Sequence, residues 1–372
     1  MRRKDGNPKT KAKRSLPVFK YGFRDNPSVV KDMIPAGSLY SVMSFFSGCG
    51  GLDLGFLGGF NVFNSHYERM PFEIIDAYDN LQDAVDCYKL NLGDRIHCAD
   101  LTKVNLFSDA DILIGGFPCQ DFSSAGPKTG FDGKRGNLYK VMLRYMHEHK
   151  PRIVVGENVS YLSKLQSGDC LNKILTDFES IGYHFDLWEM RAQDYGVPQN
   201  RNRLIFIGVR DDITGFPVKP QPLTPYSPRT ISEAISDLES ITDESVTNQS
   251  QYFVSTKATS GGGQGDNVND ANKVAYCIRA NSRGRIQFHY KLERRLTVRE
   301  CARIQTFPDE FVFQFTTQRN LTLIGNAVPP ILAHNIARAI ASFLVAVESG
   351  DKTSTSITHN RIFLQQGDLF HD

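Results

Sequence analysis

Four short strings in this sequence combine residue types that chemistry can use. Cys119 stands in Gly115-Gly116-Phe117-Pro118-Cys119-Gln120, directly after the apolar run Asp111 to Ile114. A single cysteine is by default a small buried hydrophobe; a thiol that follows proline in a polar, glycine-flanked loop is better placed for exposure. Gly156-Glu157-Asn158-Val159 ends a later apolar run. A carboxyl group there suits acid assistance to a thiolate that attacks an electron-poor carbon, with the proton delivered to a ring nitrogen. Taken alone, Glu157 reads equally well as a helix-start residue.

Phe45-Phe46-Ser47-Gly48-Cys49-Gly50-Gly51-Leu52-Asp53 joins an apolar run to a helical pattern through glycines. Glycines let backbone approach a ligand, and free N–H groups at a helix start favour an anion. The string implies a nucleotide-like cofactor, although its spacing is not the full dinucleotide fingerprint. Asp79, at the end of the next apolar run, can accept from a ribose hydroxyl. Asp100, after Ile96-His97-Cys98, can meet an adenine edge or serve as an ordinary surface acid. In the fourth string, Gln199-Asn200-Arg201-Asn202-Arg203, alternation puts Arg201 and Arg203 on one face. One can reach a base carbonyl or a phosphate while the other holds the site together; a solvated strand edge is the plain alternative.

The elements that must position these groups follow from periodicity. Candidate strands cover 39–46, 72–77, 111–115, 152–156, 183–190 and 203–209, with helical spacing between them. Leu138, Val141, Met142 and Tyr145 recur at that spacing, as do Leu171, Ile174, Leu175, Phe178 and Ile181, with Gly182 placed as a terminator. The rhythm predicts a doubly wound α/β fold with ligands bound outside the carboxyl ends of the strands. It breaks after Arg210, where Pro217, Pro220, Pro222, Pro225 and Pro228 crowd together. Thr230 with Glu233 and Thr297 with Glu300 form capping-box patterns, and Pro329-Pro330 opens an apolar helical stripe.

The chain of 372 residues is 40% hydrophobic, enough for one large core and a smaller domain. The expected organisation is a basic arm over 1–37, an α/β domain over 38–210, and a smaller, loop-rich domain over 211–318. A return to the α/β domain over 319–348 and a tail over 349–372 complete it. In the arm, eight cations from Arg2 to Lys20 face only Asp5, which suits a disordered tail or a DNA-binding arm. Net charge is only +2, so an anionic partner must be met by a local patch. Seven cysteines without paired short spacing indicate neither a disulfide framework nor a metal site. Apolar runs stop short of the roughly 18 to 20 residues that cross a bilayer, and no signal-peptide segment is recognised, so a cytosolic protein is expected.

In order and spacing these strings resemble the cytosine-C5 DNA methyltransferase family in its bacterial modification-enzyme size class, from about Ser41 to Ile340. Phe-Ser-Gly-Cys-Gly-Gly resembles the cofactor motif, Phe-Pro-Cys-Gln the nucleophile motif, Glu-Asn-Val the base-protonating motif and Gln-Asn-Arg-Asn-Arg the paired-arginine motif. Arg295-Leu296-Thr297-Val298-Arg299-Glu300-Cys301 and Gly325-Asn326-Ala327-Val328-Pro329-Pro330 resemble the last two. The resemblance implies a Rossmann-like, S-adenosylmethionine-dependent enzyme without metal, releasing S-adenosylhomocysteine, with 38–210 and 319–348 as catalytic and cofactor-binding domain and 211–318 as target-recognition domain. Cys119 would add to C6 of a cytosine flipped from duplex DNA, Glu157 would protonate N3, Asn158 would position Glu157, and Arg203, with Arg201, would hold the base. Phe46, Gly48, Gly50, Gly51, Leu52, Asp79, Asp100, Leu101, Pro118, Asn326 and Val328 would form the cofactor pocket. DNA contacts would come from Gln120, Ser123, Arg135, Arg279, Arg283, Arg285 and Arg295, the last four in a segment rich in cations and aromatics. Threonine stands at 322 where the family usually has glutamine, and aspartate at 79 where glutamate is more frequent. A monomer acting in the bacterial cytosol, with a cognate restriction endonuclease as functional partner, fits this picture. A tRNA cytosine methyltransferase, a non-catalytic DNA-binding protein of the same fold and a nicotinamide-dependent oxidoreductase are the competing readings.

Overall fold

The computed structural model describes residues 39–117, 138–240, 266–280, 286–350 and 355–356. The arm over 1–37 and all of the tail beyond Gly350 except 355–356 lie outside them.

Seven strands form the central sheet: β1 (Tyr40–Phe45), β4 (Phe72–Asp79), β5 (Ile96–Cys98), β6 (Ile112–Gly115), β7 (Ile153–Val159), β8 (Tyr183–Arg191) and β9 (Asn202–Arg210). Their order is β5-β4-β1-β6-β7-β9-β8. The six expected strands are present, and the short Ile96-His97-Cys98 run supplies the edge strand beside β4. A small antiparallel hairpin, β2 (Phe60–Val62) with β3 (Ser65–Tyr67), has no counterpart in the sequence periodicity because each strand is three residues long.

The sheet is parallel except at β9, which runs antiparallel to both β7 and β8. Local connectivity explains the reversal. A parallel return needs a crossover of a dozen or more residues, usually a helix. Between β8 and β9 stands only a short 3₁₀ turn, Ala192–Tyr195, followed by extended chain. The strand must therefore come back as a hairpin arm.

Successive strand residues point to opposite faces, and the two faces bury separate cores. Val42, Ile112, Ile114, Ile153, Val155, Ile205 and Ile207 join α1 (Gly51–Leu57), α2 (Gln82–Leu92) and α8 (Pro330–Ser349) on one side. Met43, Phe45, Leu113, Val154, Leu204 and Phe206 join α3 (Tyr139–His149) and α4 (Asp169–Glu179) on the other. Both faces are covered, as the doubly wound pattern requires. The helix-spaced residues of 138–145 and 171–178 fall in α3 and α4; Ile181 lies beyond the end of α4, where Gly182 adopts φ 91°.

Both capping boxes form. Thr230 caps α5 (Ile231–Ile235) and Thr297 caps α6 (Val298–Ile304), each with the reciprocal glutamate contact. After α7 (Thr317–Asn326), Pro330 opens α8. Taken as one stretch, Thr317–Ser349 is long and apolar enough to cross a bilayer by composition, a feature that short uninterrupted runs do not reveal. Its most apolar window is 72% buried inside the protein, which is the behaviour of a core helix.

The closest helix contact lies between α1 and α8. A Cβ on Gly55 would fall 2.3 Å from Ala333 Cβ and 2.7 Å from the Pro330 carbonyl oxygen, both on the first turn of α8. Gly55→Ala should therefore destabilise the fold by roughly 1–3 kcal/mol through forced separation of the two helices. Thermal unfolding checks this; an unchanged Tm would show that the helices can part freely.

Candidate active site

Strand ends define where the site lies. At the carboxyl edge of β1, β4, β6 and β7 a cleft of about 710 Å³ opens, and the sequence-selected groups converge on it. Phe46, Gly48, Gly51, Leu52, Asp79, Asp100, Leu101, Glu157, Asn158, Arg201, Arg203, Asn326 and Val328 all line it.

Its first half is a backbone cradle. Beyond β1 the chain turns through Phe46 at φ 56°, Gly48 at φ 57° and Gly50 at φ 92°. Glycine tolerates this region, whereas Phe46 is held there at a cost of about 1–3 kcal/mol. Asp79, the last residue of β4, fastens the turn. Its Oδ2 accepts from the Gly48 N–H at 2.9 Å and its Oδ1 from the Leu81 N–H at 2.8 Å. Burial pushes the Asp79 carboxyl upward, and these N–H donors oppose the shift. Each carboxylate oxygen can accept a second bond, so Asp79 keeps acceptor capacity for a ligand hydroxyl.

Gly51 is required for closure of the cradle. A Cβ there would meet the Val328 carbonyl oxygen at 2.4 Å, so only bare backbone lets the start of α1 pass the 327–328 segment. Gly50 faces elsewhere: a Cβ would strike Leu92 of α2 at 2.3 Å, so this glycine serves helix packing. Asp100 is exposed and accepts from its own Thr102, through the backbone N–H at 3.1 Å and the hydroxyl at 2.7 Å; these bonds hold its carboxyl below the usual range. Leu101 beside it is buried.

The second half carries charge. Glu157 projects near the end of β7, and Arg203, opposite Val159 in the β7–β9 register, brings Nε to 2.5 Å from Glu157 Oε1. The N–H is not aligned on that oxygen, so the contact is an ion pair rather than a well-directed hydrogen bond. Both side chains are nearly closed to solvent, at 12% and 13% exposure. Gly116 makes room for the carboxylate: a Cβ there would lie 3.2 Å from Glu157 Oε2. Asn158 points away from this pair. Its Nδ2 donates to the Phe117 carbonyl at 3.2 Å and its Oδ1 accepts from the Val159 N–H at 2.8 Å. Asn158 thus ties the end of β7 to the peptide that leads into Pro118 and Cys119.

Arg201 and Arg203 divide the two tasks that the sequence leaves open. Arg201 is 2% exposed and donates to the carbonyls of Ile278 at 3.1 Å, Gly325 at 3.2 Å and Ala327 at 2.9 Å. Burial, with Arg203 adding repulsion, lowers its pKa to about 10, so it remains charged at neutral pH. Gln199 works alongside it. Its Oε1 accepts from the Ile278 N–H at 2.9 Å and its Nε2 donates to Gln305 Oε1 at 2.6 Å, while Gln305 donates to the Ala327 carbonyl at 2.5 Å. Thr322, where the sequence departs from the family, donates to the Ala280 and Gln318 carbonyls at 3.1 and 3.0 Å. The sequence gives no sign of Gln305 or of a scaffolding role for Thr322; nothing local marks a buried amide whose partners lie a hundred residues away.

Pro118, Cys119, Gln120, Ser123, Arg135, Arg283 and Arg285 lie outside the described residues. Among the remaining cysteines, Cys49, Cys87, Cys170 and Cys301 are buried, and burial pushes the Cys170 and Cys301 thiols upward. Cys49 rises too, chiefly through its contact with Cys87. None of these four is an available nucleophile. Arg279 lines a second, smaller cavity of about 330 Å³ with Asn202, Tyr276 and Gln287, beside Arg201. Arg295 is half-buried, with Nε enclosed.

A sheet of this order with a cofactor-sized cleft at its carboxyl edge and a carboxylate fastening the first glycine turn defines an α/β methyltransferase fold. Residues 40–342 match the model of the C-5 cytosine-specific DNA methylase family, and the chain belongs to it. Among similar proteins, the type II methyltransferase M.NgoFVII of Neisseria gonorrhoeae is 32% identical over 89% of this chain and 93% of its own. The type II methyltransferase M.BsuRI of Bacillus subtilis is 32% identical over 82% of this chain and 80% of its own. A solved structure of a DNA modification methyltransferase encoded within an E. coli prophage superposes with a TM-score of 0.63 at 23% identity, covering 83% of this chain and all of that one.

The two arginines should separate experimentally. Arg201→Ala removes the guanidinium from the Ile278 and Gly325 carbonyls and leaves Ala327 only its bond from Gln305, and should cost about 3 kcal/mol or more of stability. Arg203→Ala leaves Glu157 without its partner but no carbonyl cluster to collapse, so it should lower Tm by less than Arg201→Ala while abolishing methyl transfer. Equal losses of Tm in the two variants would refute the division.

Proposed function

We infer that this chain methylates C5 of cytosine in a specific duplex DNA sequence, using S-adenosylmethionine, as a type II modification enzyme. The observation that carries the reading is the Glu157–Arg203 pair, shielded from solvent and facing the same cleft as the Gly48–Asp79 cradle.

The residues present fit the cofactor. In front of Gly48 a Cβ would meet nothing within 4 Å, so the cradle is open to a ligand where its amide backs onto Asp79. Asp79 would take the ribose hydroxyls, Phe46 and Leu101 would flank the base, and Asn326 and Val328 would close the far wall. Bound there, the sulfonium supplies an electrophilic methyl group to the neighbouring carbon.

The chain's own residues supply the rest. The target cytosine has to leave the duplex, since a stacked base exposes neither face of C6 to a nucleophile. The Cys119 thiolate adds to C6, forming the S–C6 bond as the C5–C6 double bond opens toward C5. Glu157 gives a proton to N3, and Arg203, paired with Glu157, holds the carboxyl and the base carbonyl in register. After methyl uptake, loss of the C5 proton restores the double bond and expels the thiolate. The interval 211–318 would read the target, with Arg279, Arg283 and Arg285 toward bases or phosphates. A cognate restriction endonuclease would be the functional partner.

Bisulfite sequencing of plasmid from cells expressing the protein should show protection of one cytosine in one short sequence. Cys119→Ser should abolish it, and Glu157→Gln should lower kcat about 100-fold or more. Methylation of tRNA but not duplex DNA, or full activity of Cys119→Ser, would overturn the reading.

A further inference from the structure

The cavity of about 330 Å³ beside the catalytic cleft has no part in the reaction described above. Arg201 lines both, and Arg279 of the cavity is followed directly by Ala280 of the cleft. Tyr276, Cys277 and Gln287 contribute further lining, and among the described residues no acid does. The 275–278 backbone is held from several sides. Ala275 donates to the Pro198 carbonyl at 2.9 Å and accepts from the Asn200 N–H at 2.8 Å. The Tyr276 N–H donates to Asn269 Oδ1 at 3.2 Å, and Asn269 Nδ2 donates to the Phe288 carbonyl at 2.9 Å. Gln199 and Arg201 take the two polar backbone groups of Ile278. With the backbone so occupied, the segment offers a ligand its side chains: Arg279 is exposed and Tyr276 is 46% exposed.

The amide of Gln287 has a fixed direction. Its Nε2 donates to the carbonyls of Tyr276 at 3.1 Å and Cys277 at 2.9 Å, which uses both of its hydrogens. The end left for a ligand is Oε1, which has only Asn269 Nδ2 at 3.5 Å and keeps acceptor capacity. The cavity thus presents a guanidinium that only donates and an amide oxygen that only accepts. A phosphate consists of acceptors alone, and the Gln287 oxygen would oppose it. The major-groove edge of a G·C pair carries both kinds of group side by side: O6 and N7 acceptors on guanine and the N4 amino donor on cytosine. That edge matches the pair of side chains.

We propose that Arg279 and Gln287 read a G·C pair flanking the target cytosine from the major groove. Arg279 gives two bonds to guanine O6 and N7, and Gln287 Oε1 accepts from the cytosine amino group. The inference rests on the duplex-DNA reading given above and narrows the role of Arg279 there to one base pair. Position supports it. Thr322 holds the Ala280 carbonyl at 3.1 Å, and a Cβ on Gly325 would lie 2.3 Å from the Ala280 nitrogen, so the peptide after Arg279 is packed against the wall of the cleft. A duplex that delivers its cytosine to Glu157 therefore lays a neighbouring pair over Arg279, on a backbone that is already ordered before binding.

The test measures binding of short duplexes by fluorescence anisotropy at several salt concentrations, with each pair around the methylated cytosine changed in turn. Wild type should bind about tenfold more weakly when one flanking G·C pair is changed, and Arg279→Ala should lose that discrimination while keeping the salt slope and the other preferences. A deazaguanine lacking N7 at that position should weaken wild type but not Arg279→Ala. N4-methylcytosine opposite it blocks the groove-facing N–H and should weaken both proteins, since Gln287 is intact in each. A loss in Arg279→Ala that is uniform across sequences, with the salt slope reduced by about one, would assign Arg279 to a phosphate and overturn the inference. Deazaguanine weakening both proteins equally, or N4-methylcytosine weakening neither, overturns it as well. Failure of the underlying reading shows separately, as wild-type protein that methylates no duplex DNA.

Discussion

One buried cation organises this molecule. The Arg201 guanidinium draws together the carbonyls of Ile278, Gly325 and Ala327, three backbone positions drawn from two stretches of chain remote from its own. Carbonyl dipoles turned on one charge in a dry site are strong partners only while the charge stays, and nothing in the interior could replace it. The cleft inherits its shape from this arrangement. Gly325 to Val328 form one wall, the 275–280 segment forms the rim, and Arg203, two residues along the same strand face, takes its direction from a neighbour that cannot move. Gly325 shows how tight the assembly is: a Cβ there would lie 2.3 Å from the backbone of Arg279 and Ala280.

The same constraint separates support from chemistry within a single motif. Gln199 and Arg201 turn inward to amide and carbonyl groups, while Arg203 faces Glu157. Asn158 repeats the pattern one residue from Glu157. It leaves the carboxylate alone and holds the Phe117 carbonyl, so the peptide ahead of Pro118 is bound to the strand that carries Glu157. Alternation accounts for the split between Glu157 and Asn158; Arg201 and Arg203 differ because Arg201 precedes β9, against the carbonyls of Ile278, Gly325 and Ala327, whereas Arg203 lies within it opposite Val159.

Much of this was legible in the residues because period and punctuation are local. Strands β1, β4, β6, β7, β8 and β9, both capping boxes and the proline start of α8 all follow from patterns within about ten residues. The groups meeting in the cleft were legible because each sits at or near the end of a strand or helix. Three things were not. The reversed direction of β9 depends on what its connection lacks, and periodicity is blind to direction. The inward turn of Asn158 and of Gly50 depends on neighbours supplied by distant elements. Burial of Asp53, at the start of α1, likewise depends on elements far along the chain.

The α1–α8 contact has a consequence for how the protein is made. Gly55 and Ala333 are packed against one another although nearly the whole described chain separates them, so α1 and α2 cover their flank of the sheet only in part until α8 has been made. A nascent chain ending before Pro330 would leave that apolar surface facing water. Products truncated ahead of Pro330 should therefore be inert and prone to aggregate rather than partly active.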